Sequence, residues 1–261
     1  MRPVSETGEL TLQIHGATAL ITIDHPRKRN AMTTQMWSAW PALMERVVAD
    51  DSVRVVVVTG AAGHFCAGAD ISELDAILDN DRPTDAHEAI ARCPKPTIAA
   101  INGSCVGGGV LMAGACDIRI AGLSSRFGVP PANLGLVYPP IPLERLVRLI
   151  GPAATKYLVF TAELIGGERA RHIGFIDELL PDDVVLHRAL ALADDIARRS
   201  QLSIQATKDL VDRMVGHTLT DDRVAAWMDQ VASSPDFAEG TSAFLERRKA
   251  HFTWNGAGLP E

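Results

Sequence analysis

The chain has 261 residues, enough for one large domain or for a core with an appended segment. Hydrophobic residues make up 47% and charged residues 22%, the mix of an ordinary globular protein rather than a disordered one. The formal net charge of −7 lacks the basic excess of a nucleic-acid-binding face, so no nucleic-acid partner is expected; a local basic pocket for a small anion is still allowed.

The first twenty residues carry Glu6 and Glu9 and have no basic head before an apolar core, so no signal peptide is expected. Leu10 to Ile14 and Ala19 to Ile23 read as a hairpin turned at Gly16. After Met32, the residues Met36, Trp40, Leu43, Met44 and Val47 recur at helical spacing, with Pro41 placed to kink that helix. Val53 to Val58 is β-branched and nearly continuous, as a strand covered on both faces is, and it ends in the small-residue loop Thr59 to Gly63. Thr97 to Ile101, ended by Asn102-Gly103, and Ile118 to Ala121 are two further short strands. Strand, crossover and strand are the grammar of a layered α/β fold, in which ligands bind where loops leave the strand ends. Loops 60–69 and 102–109 both contain glycine and both follow strands.

From about Pro142 the pattern is helical almost throughout. Val185, Ala189, Leu192, Ala193 and Ile196 form one apolar stripe. Gly166-Gly167 and Pro181-Asp182-Asp183 punctuate the helices, with Asp182 or Asp183 as candidate caps. Gln201 to Val215 and Asp221 to Val231 read as two more helices, and a last helical run holds Phe244 to Lys249. The expected division is an α/β core over 1–190 and a helical segment over 191–261. That segment is too thin to bury a core of its own, so it is expected to pack on the core or on a neighbouring subunit. No apolar run is long enough to span a bilayer, so no membrane partner is expected and the cytoplasm is the expected location. The four cysteines, Cys66, Cys93, Cys105 and Cys116, form no CxxC pair, and no histidines show HxxxH spacing. No metal site is therefore expected, and the cysteines read as free buried thiols of a reducing compartment.

Two segments carry the chemistry. Gly107, Gly108 and Gly109 stand between a strand-like and a helix-like run, and the next polar residue is Asp117. A glycine run that opens a helix leaves unpaired N–H groups converging on one spot, with the positive end of the helix dipole behind them. Close helix–strand packing accounts for the same spacing equally well. The second segment, 63–74, also runs from a glycine-rich loop into a helix.

Taken in order, HFCAGADISEL, KPTIAAINGSCVGGG, ACDIRIA and FGVPPANLGLVY, followed by GPAATKYLVFTAELIGGERARHIGFIDELL and EGTSAFLERRKAHF, resemble the crotonase family of enoyl-CoA hydratases and isomerases over nearly the whole chain. The resemblance implies an α/β fold, a crotonase-like core of repeated ββα units with a helical C-terminal trimerisation segment. It implies homotrimers or dimers of trimers. It implies coenzyme A thioesters as substrates, with no permanently bound cofactor. It also implies that the backbone N–H groups of Ala69 and Gly108 polarise the thioester carbonyl and stabilise the enolate formed from it. HPRKRNAM is similar to the family's RPxxxNA stretch and would put Lys28 and Arg29 near the coenzyme A phosphates; a solvated basic turn is the alternative. Ala67, Asp70 and Ile71 would flank the adenine. Phe244 and Arg247 match positions that reach coenzyme A from the adjacent subunit, although an ordinary amphipathic terminal helix reads the same way.

The chain departs from the family at its acids. Family hydratases carry one glutamate in GGGxE, where this chain has Leu111, and another in FGxPE, where it has Pro131. The isomerase acid past the LG pair is replaced by Pro139. None of these side chains can move a proton. The run NLGLVY resembles in part that of methylmalonyl-CoA decarboxylases of the family, and the resemblance implies that Tyr138 matches their tyrosine and Pro131 their proline, although they carry a histidine where this chain has Ala69. His64 reads as a surface loop residue, and Glu144, Glu73 and Asp75 are candidate acids. Three readings follow: an acyl-CoA enzyme of the hydratase/isomerase type, a decarboxylase using Tyr138, and a non-catalytic acyl-CoA-binding protein.

Overall fold

The computed structural model describes residues 7–79, 81–256 and 259, with the backbone alone at Leu78. Glu6, read above against a signal peptide, lies outside the described residues. β1 (Glu9–His15) and β2 (Thr18–Asp24) form the expected hairpin, with Leu12 opposite Ile21 and Gly16 in the turn. Helix α1 (Thr34–Ala49) begins where Thr33 Oγ1 accepts the Met36 N–H at 3.2 Å, a serine/threonine-type cap. It continues unbroken through Pro41 and buries Met36, Trp37, Trp40, Leu43, Met44 and Val47 on one face.

The next elements are β3 (Val55–Gly60), α2 (Leu74–Leu78), α3 (Arg82–Ala91), β4 (Thr97–Ile101), β5 (Ser104–Val106), α4 (Gly108–Ala115), β6 (Ile118–Gly122) and β7 (Arg126–Gly128). They are followed by α5 (Pro140–Thr161), β8 (Ile165–Gly166), α6 (Gly167–His172), β9 (Glu178–Leu180) and α7 (Val185–Ala197). Strand, strand, helix recurs as β1–β2–α1, β4–β5–α4 and β6–β7–α5, so the repeated ββα core is present. The main sheet has the order β1-β2-β3-β4-β6-β9 and is parallel from β2 onward; a small second sheet has the order β5-β7-β8.

Alternation through the main sheet explains the continuous apolar runs. Val56, Val58, Ala99 and Ile101 face the large cluster that holds α1, α3 and α4. Val55, Val57, Ile98 and Ala100 face the other way, onto Val185, Ala189, Ala193 and Ala197 of α7. Each large aliphatic side chain buried this way contributes about 1.5–3 kcal/mol.

Several expectations need correction. The region after Pro142 is not all helical: β8 pairs with β7, β9 extends the main sheet, and α5 breaks at Gly151 with φ +77°. Neither Asp182 nor Asp183 caps a helix; the Asp182 carboxylate accepts the Ser124 N–H at 3.0 Å. Residue 190 falls inside α7, whose apolar face covers the sheet as far as Ala197. The helices beyond it are α8 (Gln201–Val215), α9 (Asp221–Ser233) and α10 (Asp236–Leu245). They bury a small cluster of their own, Leu202, Ala206 and Trp227. The Trp227 indole N–H donates to Asp209 at 2.7 Å, and Arg213 and Arg223 hold the same carboxylate. The segment is joined to the core by Lys208, which donates to Asp117 at 2.7 Å. All four cysteines are free and buried.

Candidate active site

The loop after β3 is fixed on both sides by backbone bonds. On one side Phe65 N–H donates to Asn102 O, and Cys66 N–H to Ser104 O, while Cys66 O accepts from Val106 N–H. On the other side Met32 N–H donates to Gly68 O at 2.7 Å and Asp70 N–H to Met32 O at 2.9 Å. Ala67 N–H donates to Arg29 O, and Gly68 N–H to the Cys66 sulfur. Every N–H from 65 to 70 is thus engaged except that of Ala69, which has no partner among the described residues. In the parallel bridge to Met32, the neighbours of Ala69 supply the two bonds, which turns the Ala69 N–H to the opposite side.

The glycine run lies directly against this loop. Gly107 N–H donates to Gly128 O at 2.8 Å, whereas Gly108 is the first residue of α4 and its N–H has no partner among the described residues. A Cβ placed on Gly68 would lie 3.4 Å from the Gly108 nitrogen and 2.9 Å from Val106 O, and Gly68 has φ +95°, so only glycine fits where the two loops meet. Gly107, at φ +57°, is similarly restricted, and a Cβ there would lie 3.1 Å from the Tyr138 hydroxyl oxygen. Two N–H groups without a partner among the described residues, from Ala69 and Gly108, therefore sit on adjoining segments, one of them at a helix start. That arrangement suits an oxygen bearing partial negative charge.

Leu111, one turn into α4, is 5% exposed and belongs to the main core, and Pro131 is buried. Tyr138 is half-buried in the loop that precedes α5, and burial pushes its hydroxyl up to about 12, so it stays protonated. Its hydroxyl makes no hydrogen bond among the described residues.

The candidate acids are exposed or held by other partners. Glu144 is exposed and pairs with Arg148 at 2.6 Å. Glu73 accepts the Thr34 N–H at 2.8 Å, steadying the start of α1, and Asp75 is exposed. Asp117 accepts from the Thr97 N–H at 2.7 Å beyond the far end of α4. His64 is half-buried rather than a free surface residue, because its Nδ1 accepts the Ser104 N–H at 3.1 Å.

Of the residues assigned to coenzyme A, the structure brings Lys28 and Asp70 together: Lys28 Nζ donates to Asp70 at 2.6 Å and to Ser72 Oγ at 3.1 Å. Burial raises the Asp70 carboxyl, but hydrogen bonds from Lys28 and Ser72 outweigh it and hold it below the usual range. Arg29 is exposed at φ +50°, and Ile71 is 60% exposed. The buried Asn30 anchors this turn, accepting from His25 N–H and donating to Ala61 O and His64 O. Phe244, 84% exposed on α10, and Arg247, in the turn after it, have no hydrogen bond or ion pair to the other site residues among those described.

Sequence reasoning passed over His87 on α3. It is 1% exposed, and its Nε2 lies 3.1 Å from the Gly108 carbonyl oxygen. Among the described residues no group of His, Cys, Asp and Glu is arranged to hold a metal ion, and no helix is long and apolar enough to cross a membrane.

A crotonase-type core with two glycine-shaped loops meeting at its strand ends defines an acyl-CoA enzyme class, and residues 13–255 match the enoyl-CoA hydratase/isomerase family. The chain belongs to that family and is an enzyme of the hydratase/isomerase type. It is 32% identical over 253 residues to 2,3-dehydroadipyl-CoA hydratase of Escherichia coli, covering 94% of this chain and 98% of that one. It is 30% identical over 250 residues to human mitochondrial Delta(3,5)-Delta(2,4)-dienoyl-CoA isomerase, covering 88% and 76%. A solved enoyl-CoA hydratase/isomerase family member superposes with a TM-score of 0.91 at 37% identity, over 96% of this chain and 98% of that one.

Proposed function

We propose that this enzyme draws a thioester carbonyl oxygen between the N–H groups of Ala69 and Gly108, and that Tyr138 serves the resulting enolate as hydrogen-bond and proton donor. The reaction best suited to the site is decarboxylation of a 2-carboxyacyl-CoA of the malonyl or methylmalonyl type. In that step the bond between Cα and the carboxylate breaks, its electron pair enters the enolate, and CO2 leaves. A proton from the Tyr138 hydroxyl then goes to Cα, and solvent reprotonates the tyrosine. No carboxylate base is required, because loss of CO2 supplies the electrons. The buried Leu111 and Pro131 support it, because apolar side chains at those positions would withdraw water from the substrate carboxylate. The observation that carries the reading is the Tyr138 hydroxyl beside Gly107 at a site whose acid positions are apolar.

Lys28, Arg29, Ala67, Asp70 and Ile71 are assigned to coenzyme A, with no other cofactor. The exposed apolar side chains of α10, Phe237, Phe244 and Leu245, support burial against a second copy in a homotrimer or homohexamer. There Phe244 and Arg247 would reach the neighbour's coenzyme A. The second reading is an acyl-CoA binder without turnover, favoured by the loss of both acids at Leu111 and Pro131. Turnover of enoyl-, β-keto- and malonyl-type thioesters, with CO2 release followed directly, separates the two. Binding with no turnover across that panel would leave the binder.

A further inference from the structure

His87 donates through Nε2 to the Gly108 carbonyl. A carbonyl oxygen can only accept, so Nε2 carries a proton. Nδ1 is buried and has no partner among the described residues, so a second proton there would be an unsatisfied buried donor. Burial pulls the imidazole down to about 3, against the bond to Gly108, and Arg145 adds repulsion, so the ring is neutral at working pH. Trp37 completes the grip. Its ring meets His87 edge-on, with centroids 5.4 Å apart and planes at 80°. Its Cζ2 and Cη2 lie 3.0 Å from where a Gly108 Cβ would be. These contacts matter because α4 opens on glycines and has no side-chain cap at its start. A glycine backbone left to itself samples more conformations than any other.

We infer that His87 is a positioning residue: its Nε2–H fixes the Gly108 carbonyl, and with it the direction in which the preceding Gly108 N–H meets the thioester oxygen. The inference rests on the proposed oxyanion role of Gly108. It extends the site to a second layer, in which α3 sets the geometry of α4 without touching substrate.

The test uses butyryl-CoA labelled with carbon-13 at the thioester carbonyl, which the proposed chemistry leaves intact. Difference infrared spectroscopy reads the carbonyl stretch, and calorimetry compares butyryl-CoA with free coenzyme A. In the wild type the stretch moves to lower frequency on binding. In His87→Phe, which keeps a ring against Trp37 but has no donor, most of that shift disappears and the advantage of the thioester over coenzyme A falls about tenfold. In His87→Gln, whose amide can donate, the advantage stays within about threefold of wild type. Coenzyme A affinity is unchanged in both variants, which general damage to the fold would not leave intact. A full shift in His87→Phe overturns the inference alone, while no shift in the wild type overturns the oxyanion reading beneath it. If His87→Phe does not fold, the wild type labelled with nitrogen-15 in histidine decides. The His87 Nε2–H signal moves with butyryl-CoA and not with coenzyme A, and an unmoved signal overturns the inference.

Discussion

Tyr138 and Gly107 are close neighbours without a bond between them: a side chain of even one carbon on Gly107 would stand 3.1 Å from the tyrosine hydroxyl oxygen. Gly107 directly precedes Gly108, whose N–H has no partner among the described residues. A phenol, kept neutral by burial, thus stands beside Gly107, while His87 meets the Gly108 carbonyl and the buried Leu111 and Pro131 offer nothing to titrate. That combination makes the role of each residue measurable.

Tyr138→Phe is expected to lower any measurable turnover at least about 100-fold, the scale of a lost general acid, and to leave coenzyme A affinity unchanged. Glu144→Gln is expected to leave turnover unchanged, because Glu144 is exposed and occupied by Arg148. Steady-state kinetics with methylmalonyl-CoA and with enoyl-CoA esters checks both. Turnover of Tyr138→Phe within about threefold of wild type, roughly 0.7 kcal/mol, would make the tyrosine a packing residue.

Hydration of crotonyl-CoA is expected to be very slow. Each missing general acid or base is worth about 100- to 10,000-fold, and both family positions are apolar here. A rate near the median enzyme value of about 10 per second would contradict this and show that another group supplies the proton.

His87 should leave a signature in acid stability. Its folded-state pKa, about 3, lies below the unfolded value, so the unfolded chain takes up the proton first. The associated stability is present above about pH 6.5 and is lost as pH falls toward 3. Between pH 7 and 5 the loss from this single group amounts to about 2 kcal/mol. Urea denaturation of wild type and His87→Gln at both pH values checks it. The variant's stability should fall by about that much less, and parallel losses would show that the histidine is solvated.

What the sequence revealed, and what it hid, follows from the length over which a signal repeats. β2, β3 and β4 were readable because Ala19 to Ile23, Val55 to Val58 and Thr97 to Ile101 are apolar on both faces. β5, β7, β8 and β9 have two or three residues each and show no period at all. α3, RPTDAHEAIA, mixes charge with its buried positions, so it gave no clear stripe. His87 was hidden for another reason: its partner is a backbone carbonyl 21 residues further on, and backbone acceptors have no letter in a sequence. The roles proposed for Ala69 and Gly108 come from the family resemblance, because an N–H is carried by every residue except proline and these two stand out only by having no partner among the described residues. Trp227 lies within the helix expected over Asp221 to Val231, and nothing in that pattern shows that it packs with Leu202 and Ala206 in a small cluster.

The two glycines further along α4 should respond in opposite ways to the same substitution. At Gly109 a Cβ would lie 2.3 Å from the Cys66 carbonyl oxygen and 3.0 Å from the Cys66 Cβ. Backbone must yield there, and the helix would be forced away from the loop that carries Ala69. Gly109→Ala is therefore expected to destabilise by about 3 kcal/mol, the upper range of overpacking, and to weaken thioester binding as the two donors separate. At Gly114, nothing lies within 4 Å of the new Cβ, and the residue sits inside the helix. Gly114→Ala is expected to stabilise by about 0.5–1 kcal/mol, because alanine loses less backbone entropy than glycine on folding, and to leave binding unchanged. Urea denaturation with calorimetric titration of acetoacetyl-CoA measures both effects. Equal behaviour of the two variants would mean that α4 is not held against Cys66, and the close approach of the two loops would have to be abandoned.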